Sequence, residues 1–179
     1  MVAPVEAPVE PGLIVFTDRQ QAGRPLPELI AMAIDGGVRM VVLREHDLPR
    51  RRRLKLAADL RAALDPVGGR LLLEEDPALR KCHDLDSLCA AAADETAAYA
   101  TLSPIFPTRS KPGYGPPLGL AALARMALAV PIPVYALGGV DNPARVRDCL
   151  DEGAAGVAVM GAVMRAEDPA RLVKELLNA

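Results

Sequence analysis

Oxyanion binding is the chemistry the residues offer first. A loop rich in proline and glycine runs Ser103-Pro-Ile-Phe-Pro-Thr108-Arg-Ser110-Lys111-Pro-Gly-Tyr-Gly115. Thr108, Ser110 and Lys111 set two hydroxyls and an ammonium close together, a donor set suited to phosphate or diphosphate. The plainer reading is a surface loop with incidental polarity. Two more segments agree with an anion: Ala136-Leu-Gly138-Gly139-Val140 and Val159-Met160-Gly161-Ala-Val163. Glycine lets backbone N–H groups come close to a ligand, and the exits of the last two strands of an α/β barrel commonly cradle phosphate. The competing reading is that these glycines only permit tight turns.

Proton transfer and metal binding have their own candidates. In Leu43-Arg44-Glu-His46-Asp47, Arg44 could clamp a diphosphate bidentately. His46, beside the Arg50–Arg53 run, reads as part of a solvated face. Glu74-Glu75-Asp76 could hold Mg²⁺ through carboxylate oxygens, or be solvated like most acidic runs. Cys82-His83-Asp84 has the residue types of a nucleophile and its base, but adjacent residues point in different directions and do not make a triad. His83 alone suits a general acid–base at neutral pH, the alternative being a histidine that is only hydrogen-bonded.

The elements that must position these residues read as alternating strands and helices. Apolar runs predict strands at Leu13–Thr17, Arg39–Leu43, Arg70–Leu73, Ala98–Leu102, Pro133–Leu137 and Gly156–Met160. Helical patterns follow at Pro25–Asp35, Arg50–Leu64, Leu85–Ala93, Leu118–Ala129, Pro143–Glu152 and Pro169–Asn178. That makes six strand–helix units of an α/β fold with a parallel sheet. The polar and glycine-rich motifs gather just after the strands, the edge where such folds keep their chemistry.

Composition sets the outer bounds. With 21 Lys+Arg against 23 Asp+Glu and a net charge of −2, a broadly basic nucleic-acid surface is excluded. No apolar run is long enough to cross a membrane, and Met1–Gly12 is proline-rich and lacks the features of a signal peptide. Residues 1–12 are expected to be a disordered tail before a single domain, 13–179. The odd, sparse set Cys82, Cys89 and Cys149 fits reduced thiols in a cytoplasmic protein. The expected partners are small molecules, with neither nucleic acid nor membrane, and a homo-oligomer is left open.

Phe16-Thr-Asp18, Leu43-Arg-Glu45, Cys82-His83-Asp84, the Ser103–Lys111 loop, Ala136–Val140 and Gly156–Met160 occur in one order. Together they resemble the thiamine phosphate synthase superfamily, which includes a thiazole tautomerase (TenI-like) branch. The resemblance covers Leu13 to the C-terminus and implies a TIM (β/α)8 barrel. It implies that Gly138, Gly139, Met160 and Gly161 line a thiazole phosphate site. Arg44, Thr108, Ser110 and Lys111 would line the anionic side of a second, pyrimidine substrate. It places His83 where the tautomerase branch keeps its proton-transfer histidine, and Glu75 and Asp76, or in the other register Glu74 and Glu75, where a synthase holds Mg²⁺.

Departures from the pattern decide between branches. The synthase pattern Gln-x-Arg-x-Lys after the second strand becomes Val42, Arg44 and His46, and the serine of Ser-x-His becomes Lys81. A full barrel normally needs at least about 200 residues, and this chain has 179. The resemblance puts the shortfall between Asp76 and His83. About two βα units, carrying the fourth and fifth strands, are expected to be missing there, with only Pro77–Lys81 left. A pyrophosphate leaving group needs more charge neutralisation than proton transfer does. The sequence therefore favours a tautomerase-like protein that binds a thiazole phosphate. The alternatives are a synthase that joins hydroxymethylpyrimidine diphosphate to thiazole phosphate with Mg²⁺, and a non-catalytic phosphate-ligand sensor.

Overall fold

Four of the strands are buried at every position because their side chains are apolar on both faces. They are β1 (Leu13–Phe16), β2 (Met40–Leu43), β5 (Tyr99–Leu102) and β7 (Gly156–Val159). β6 (Val134–Leu137) is nearly so, while β3 (Arg70–Leu73) is buried only at Leu72 and β4 (Leu79–Cys82) only at its two ends. The computed structural model describes residues 12–109, 113 and 115–179. The tail expected at 1–12 thus lies outside the described residues except for Gly12, whose carbonyl accepts the Val157 N–H at 3.2 Å.

All pairings are parallel, in the order β3-β2-β1-β7-β6-β5-β4. The two faces of this one sheet bury different sets. Outward residues such as Val15, Val41, Leu102 and Val157 pack on the helices, where Leu29, Ile30, Leu60, Leu88, Leu123, Val146 and Val173 meet them. Each such fully buried aliphatic side chain contributes roughly 2 kcal/mol relative to exposure. Inward residues form a second cluster of Ile14, Phe16, Met40, Val42, Leu72, Leu79, Tyr99, Tyr135 and Ala158. Tyr99 and Tyr135 meet edge-on there, ring centroids 5.9 Å apart. Leu72 and Leu79 sit on opposite edge strands, so one cluster holding both means that the sheet curls on itself.

The helices are α1 (Leu26–Asp35), α2 (Arg50–Leu64), α3 (Leu85–Ala92), α4 (Leu120–Leu128), α5 (Pro143–Asp151), α6 (Gly161–Met164) and α7 (Pro169–Leu177). Asp84, Asn142 and Asp168 cap α3, α5 and α7 by accepting backbone N–H bonds, which fixes where those helices start. Asp84 is thereby committed to Ser87, and Cys82 turns into the outer core. The neighbours of His83 therefore go elsewhere, as adjacent residues should.

The expectation of six strands needs correction. Leu79–Cys82 is itself a strand, making seven among the described residues. Its sequence, Leu-Arg-Lys-Cys, hides it, because an edge strand can carry charges that a central one cannot. Arg80 pairs with Asp94, and Lys81 reaches Glu74. Residues 74–78 alone join β3 to β4, which run parallel, whereas a parallel crossover normally takes about a dozen residues or more. β3 and β4 form no ladder with each other, so the curled sheet is open along this seam.

Candidate functional site

A pocket of about 590 Å³ opens at the C-terminal ends of the strands. Each strand exit contributes to it: Arg44 after β2, Glu74 after β3, His83 after β4, Ser103 and Thr108 after β5, Gly138 and Gly139 after β6, and Met160 and Gly161 after β7. The structure thus brings together Arg44, His83, Thr108, Gly138, Gly139, Met160 and Gly161. Ser110 and Lys111 lie outside the described residues. Glu75 and Asp76 do not line the pocket.

The glycine pair is required by packing on the neighbouring loop. Gly139 has φ +69, and a Cβ there would stand 2.4 Å from the Pro107 carbonyl oxygen and 2.7 Å from Phe106 Cβ. Gly138, at φ +100, would bring its Cβ within 2.9 Å of Pro104. Backbone bonds lock the two segments, Ile105 N–H donating to Leu137 O at 2.9 Å and Phe106 N–H to Gly138 O at 3.0 Å. The turn following β6 and the loop following β5 form one wall. Arg145 of α5 braces it, donating to the Gly139 carbonyl at 2.6 Å with its guanidinium 4.9 Å from the Phe106 ring centroid.

On the opposite side of the mouth the centre is Glu74. Its Oε1 accepts from Lys81 Nζ at 2.7 Å and lies 3.5 Å from Arg44 Nε, while its other oxygen meets His46. Burial pushes the Glu74 carboxyl up, but hydrogen bonds from Lys81 and His46 and the charges of Lys81 and Arg44 outweigh that and pull it down to about 2. Arg44 is held further by Met160, Nη1 to Sδ 2.9 Å, and its backbone N–H donates to Thr17 Oγ1 at 3.1 Å. His46 thus contacts Glu74 while remaining mostly exposed, at 58% for its side chain.

His83 is held by the next strand exit. Its Nδ1 lies 2.9 Å from the Ser103 carbonyl oxygen and 3.3 Å from Ser103 Oγ; the carbonyl can only accept, and this shorter contact assigns the proton to Nδ1. In the neutral ring Nε2 then bears the lone pair.

Behind the mouth, Glu45 is a buried carboxylate that sequence reading passed over. It is 4% exposed, takes a positive φ of 33, and accepts the Arg19 N–H at 3.0 Å, tying the exits of β1 and β2 together.

Lys81, Arg109, Arg145 and Arg165 also line the pocket and were not anticipated as site residues. The alternation of a strand could have found Lys81, since it stands two residues before His83 and two after the inward Leu79. With Arg44 they make, among the described residues, five basic side chains against the two acids Glu74 and Asp141. A chain of net charge −2 therefore presents a positive mouth, which favours a polyanionic ligand.

Mg²⁺ fits this donor set poorly. Glu75 is turned to Arg53, which donates at 2.8 and 2.5 Å, and Asp76 accepts the Ala78 N–H at 2.9 Å in its own turn. These were the two residues expected to bind the metal; both Glu75 oxygens face Arg53, and Asp76 Oδ1 is committed to its own turn. Among the described residues, no group of three or more His, Cys, Asp or Glu could hold a metal ion.

The family model described as "Thiamine monophosphate synthase" matches residues 13–87 and 80–163. A Geobacter sulfurreducens protein carried under a provisional thiamine-phosphate synthase name is 36% identical over 204 positions, covering 96% of this chain and 95% of that protein. A thiamine-phosphate synthase of Roseiflexus sp. is 31% identical, covering 97% of this chain and 87% of that one. Among solved structures, the thiamine phosphate pyrophosphorylase from Pyrococcus furiosus superposes with a TM-score of 0.82 at 24% identity, covering 94% of this chain and 95% of that one.

Proposed function

This chain belongs to the thiamine monophosphate synthase family, and on that premise we propose that it joins hydroxymethylpyrimidine diphosphate to a thiazole phosphate and releases pyrophosphate. The observation that carries this reading is a cationic mouth with two ends. The β6 and β7 exits offer Gly139 and Gly161, with Arg145 and Arg165 nearby, for one phosphate. Arg44 and Lys81, across the ring on the β2 and β4 exits, offer charge for a second anion. A thiazole tautomerase would need only the first. The names of the relatives also support transfer over the tautomerase expectation.

When the carbon–oxygen bond to the diphosphate breaks, negative charge grows on the leaving group. Preorganised cations lower the barrier most at such a point. The Arg44 guanidinium is preset by Glu74 and Met160, and its backbone by Thr17, so little reorganisation is required of it. Thr108 and the loop that carries it close the β5 side of the pocket.

We read the seam between β3 and β4 as the place of a family unit that this chain lacks. Three observations support this: the link of residues 74–78, alignments of more than 200 positions for a 179-residue chain, and a family match in two pieces that meet at 80–87. With β4 present, the reading is one strand with its flanking helices, fewer than the two units expected from sequence.

His83 favours a second reading, tautomerase-like proton transfer, because its Nδ1 proton is fixed on Ser103 and Nε2 is the basic nitrogen. Incubation with both substrates, followed by chromatography of the thiamine phosphate formed, separates the two. The synthase reading expects product only when both substrates are present. Conversion of the thiazole tautomer alone, with no coupled product, would establish the second reading in its place.

A further inference from the structure

The strongest unassigned feature is the ion cluster that bridges the open seam. Lys81 stands on the edge strand β4, on the inward face, and its side chain is 44% exposed. Its ammonium lies 2.7 Å from the same Glu74 oxygen that Arg44 Nε approaches at 3.5 Å. One ionised carboxylate therefore holds two cations at the lip of the pocket. Lys81 has three N–H donors and Arg44 five, so anchoring to Glu74 leaves each with further donor capacity for a ligand.

The carboxylates around this lip are already engaged. Asp18 accepts from Gln20 N–H at 3.1 Å and Gln21 Nε2 at 2.7 Å, with Arg44 at 3.8 Å. Asp141 accepts from Arg145 at 3.2 Å and Asn142 at 2.8 Å. Glu75 pairs with Arg53, Asp76 Oδ1 accepts the Ala78 N–H, and neither lines the pocket. A magnesium ion needs oxygen ligands at about 2.0–2.1 Å in near-octahedral geometry. To use Glu74 it would have to displace Lys81 and then sit beside two fixed cations, with like charges opposing it.

We propose that Lys81 and Arg44, set side by side on Glu74, neutralise the diphosphate in place of a divalent cation, so that this protein binds a diphosphate as the metal-free anion. This deepens the synthase reading, and Glu74 acts in it as a positioning residue.

The test is calorimetric titration of the intact protein with inorganic pyrophosphate, once in EDTA and once with excess Mg²⁺. Binding in EDTA at least as tight as with Mg²⁺ is expected. Lys81→Ala should weaken it by at least about tenfold, the loss of one charge-assisted contact, and Mg²⁺ should not restore it. Lys81→Arg keeps the cation and the seam pair and should bind within a few-fold of the native protein. That variant guards against a fold defect being mistaken for a lost ligand contact. Binding that requires Mg²⁺, or Lys81→Ala binding equal to native, overturns the proposal. Pyrophosphate binding in EDTA without any thiamine phosphate formation would overturn the function proposed above and leave this inference standing.

Discussion

Lys81 and Glu74 close a gap that no backbone hydrogen bond closes. They belong to the two edges of one parallel sheet, follow one another within a few residues of sequence, and meet at 2.7 Å across the seam. The same carboxylate gathers Arg44 and His46. The contact therefore joins fold to function, since it ties the sheet edges and sets the charge of the mouth together.

Removing Glu74 should cost both. Glu74→Ala leaves Lys81 and Arg44 without their common acceptor, and a loss of roughly 1–3 kcal/mol in unfolding free energy is expected. Urea denaturation at neutral pH measures it. An unchanged midpoint would mean that the seam pair holds nothing.

The pH dependence has a defined sign. The Glu74 carboxyl falls from an ordinary 4.5 to about 2 in the folded chain. Between those values the unfolded state binds more protons, so this part of the stability is complete above about 4.5 and is lost as pH falls through about 2. Glu74→Gln should flatten the stability curve in that window relative to the native protein. Equal slopes for the two proteins would contradict the assigned partners.

Gly139 should tolerate no side chain. Gly139→Ala adds a Cβ at 2.4 Å from the Pro107 carbonyl oxygen in a backbone conformation with φ +69. Separation of the two loops should cost about 1–3 kcal/mol and weaken binding of the thiazole phosphate. Thermal melting with and without that ligand reads both effects, and a normal ligand-induced shift would remove Gly139 from the phosphate wall.

His83 and Glu75 serve as contrasts. His83→Ala should leave coupled thiamine phosphate formation within about tenfold, whereas a proton-transfer role would cost 10²-fold or more. Glu75→Ala should change neither activity nor its response to Mg²⁺, because Glu75 sits on Arg53 and outside the pocket. Initial rates across a Mg²⁺ series test both variants.

Most of this architecture was legible in the residues. β1, β2, β5, β6 and β7 are continuous apolar runs because both of their faces are buried, and β3 shows the same pattern more weakly. β4 was not legible, because the acids that let an edge strand carry Arg80 and Lys81 lie outside it, at Asp94 and Glu74. In the site, Arg44, His83 and the two glycine motifs were readable as strand exits. Arg145 and Arg165 were not, since they enter the pocket from helical turns beyond those exits. The sequence left the register of this acidic run open between Glu74-Glu75 and Glu75-Asp76, and of the three only Glu74 lines the pocket. Leu72 faces inward, so the alternation carries Glu74, two residues on, to the inside.

In the proposed function this mouth couples two anionic substrates and releases pyrophosphate. The most direct measurement follows thiamine phosphate and pyrophosphate together in one reaction of purified protein with both substrates. The two should appear in equal amounts, and Lys81→Ala should slow both alike. Neither product appearing while the thiazole tautomer is converted, or product formation indifferent to Lys81, would contradict it.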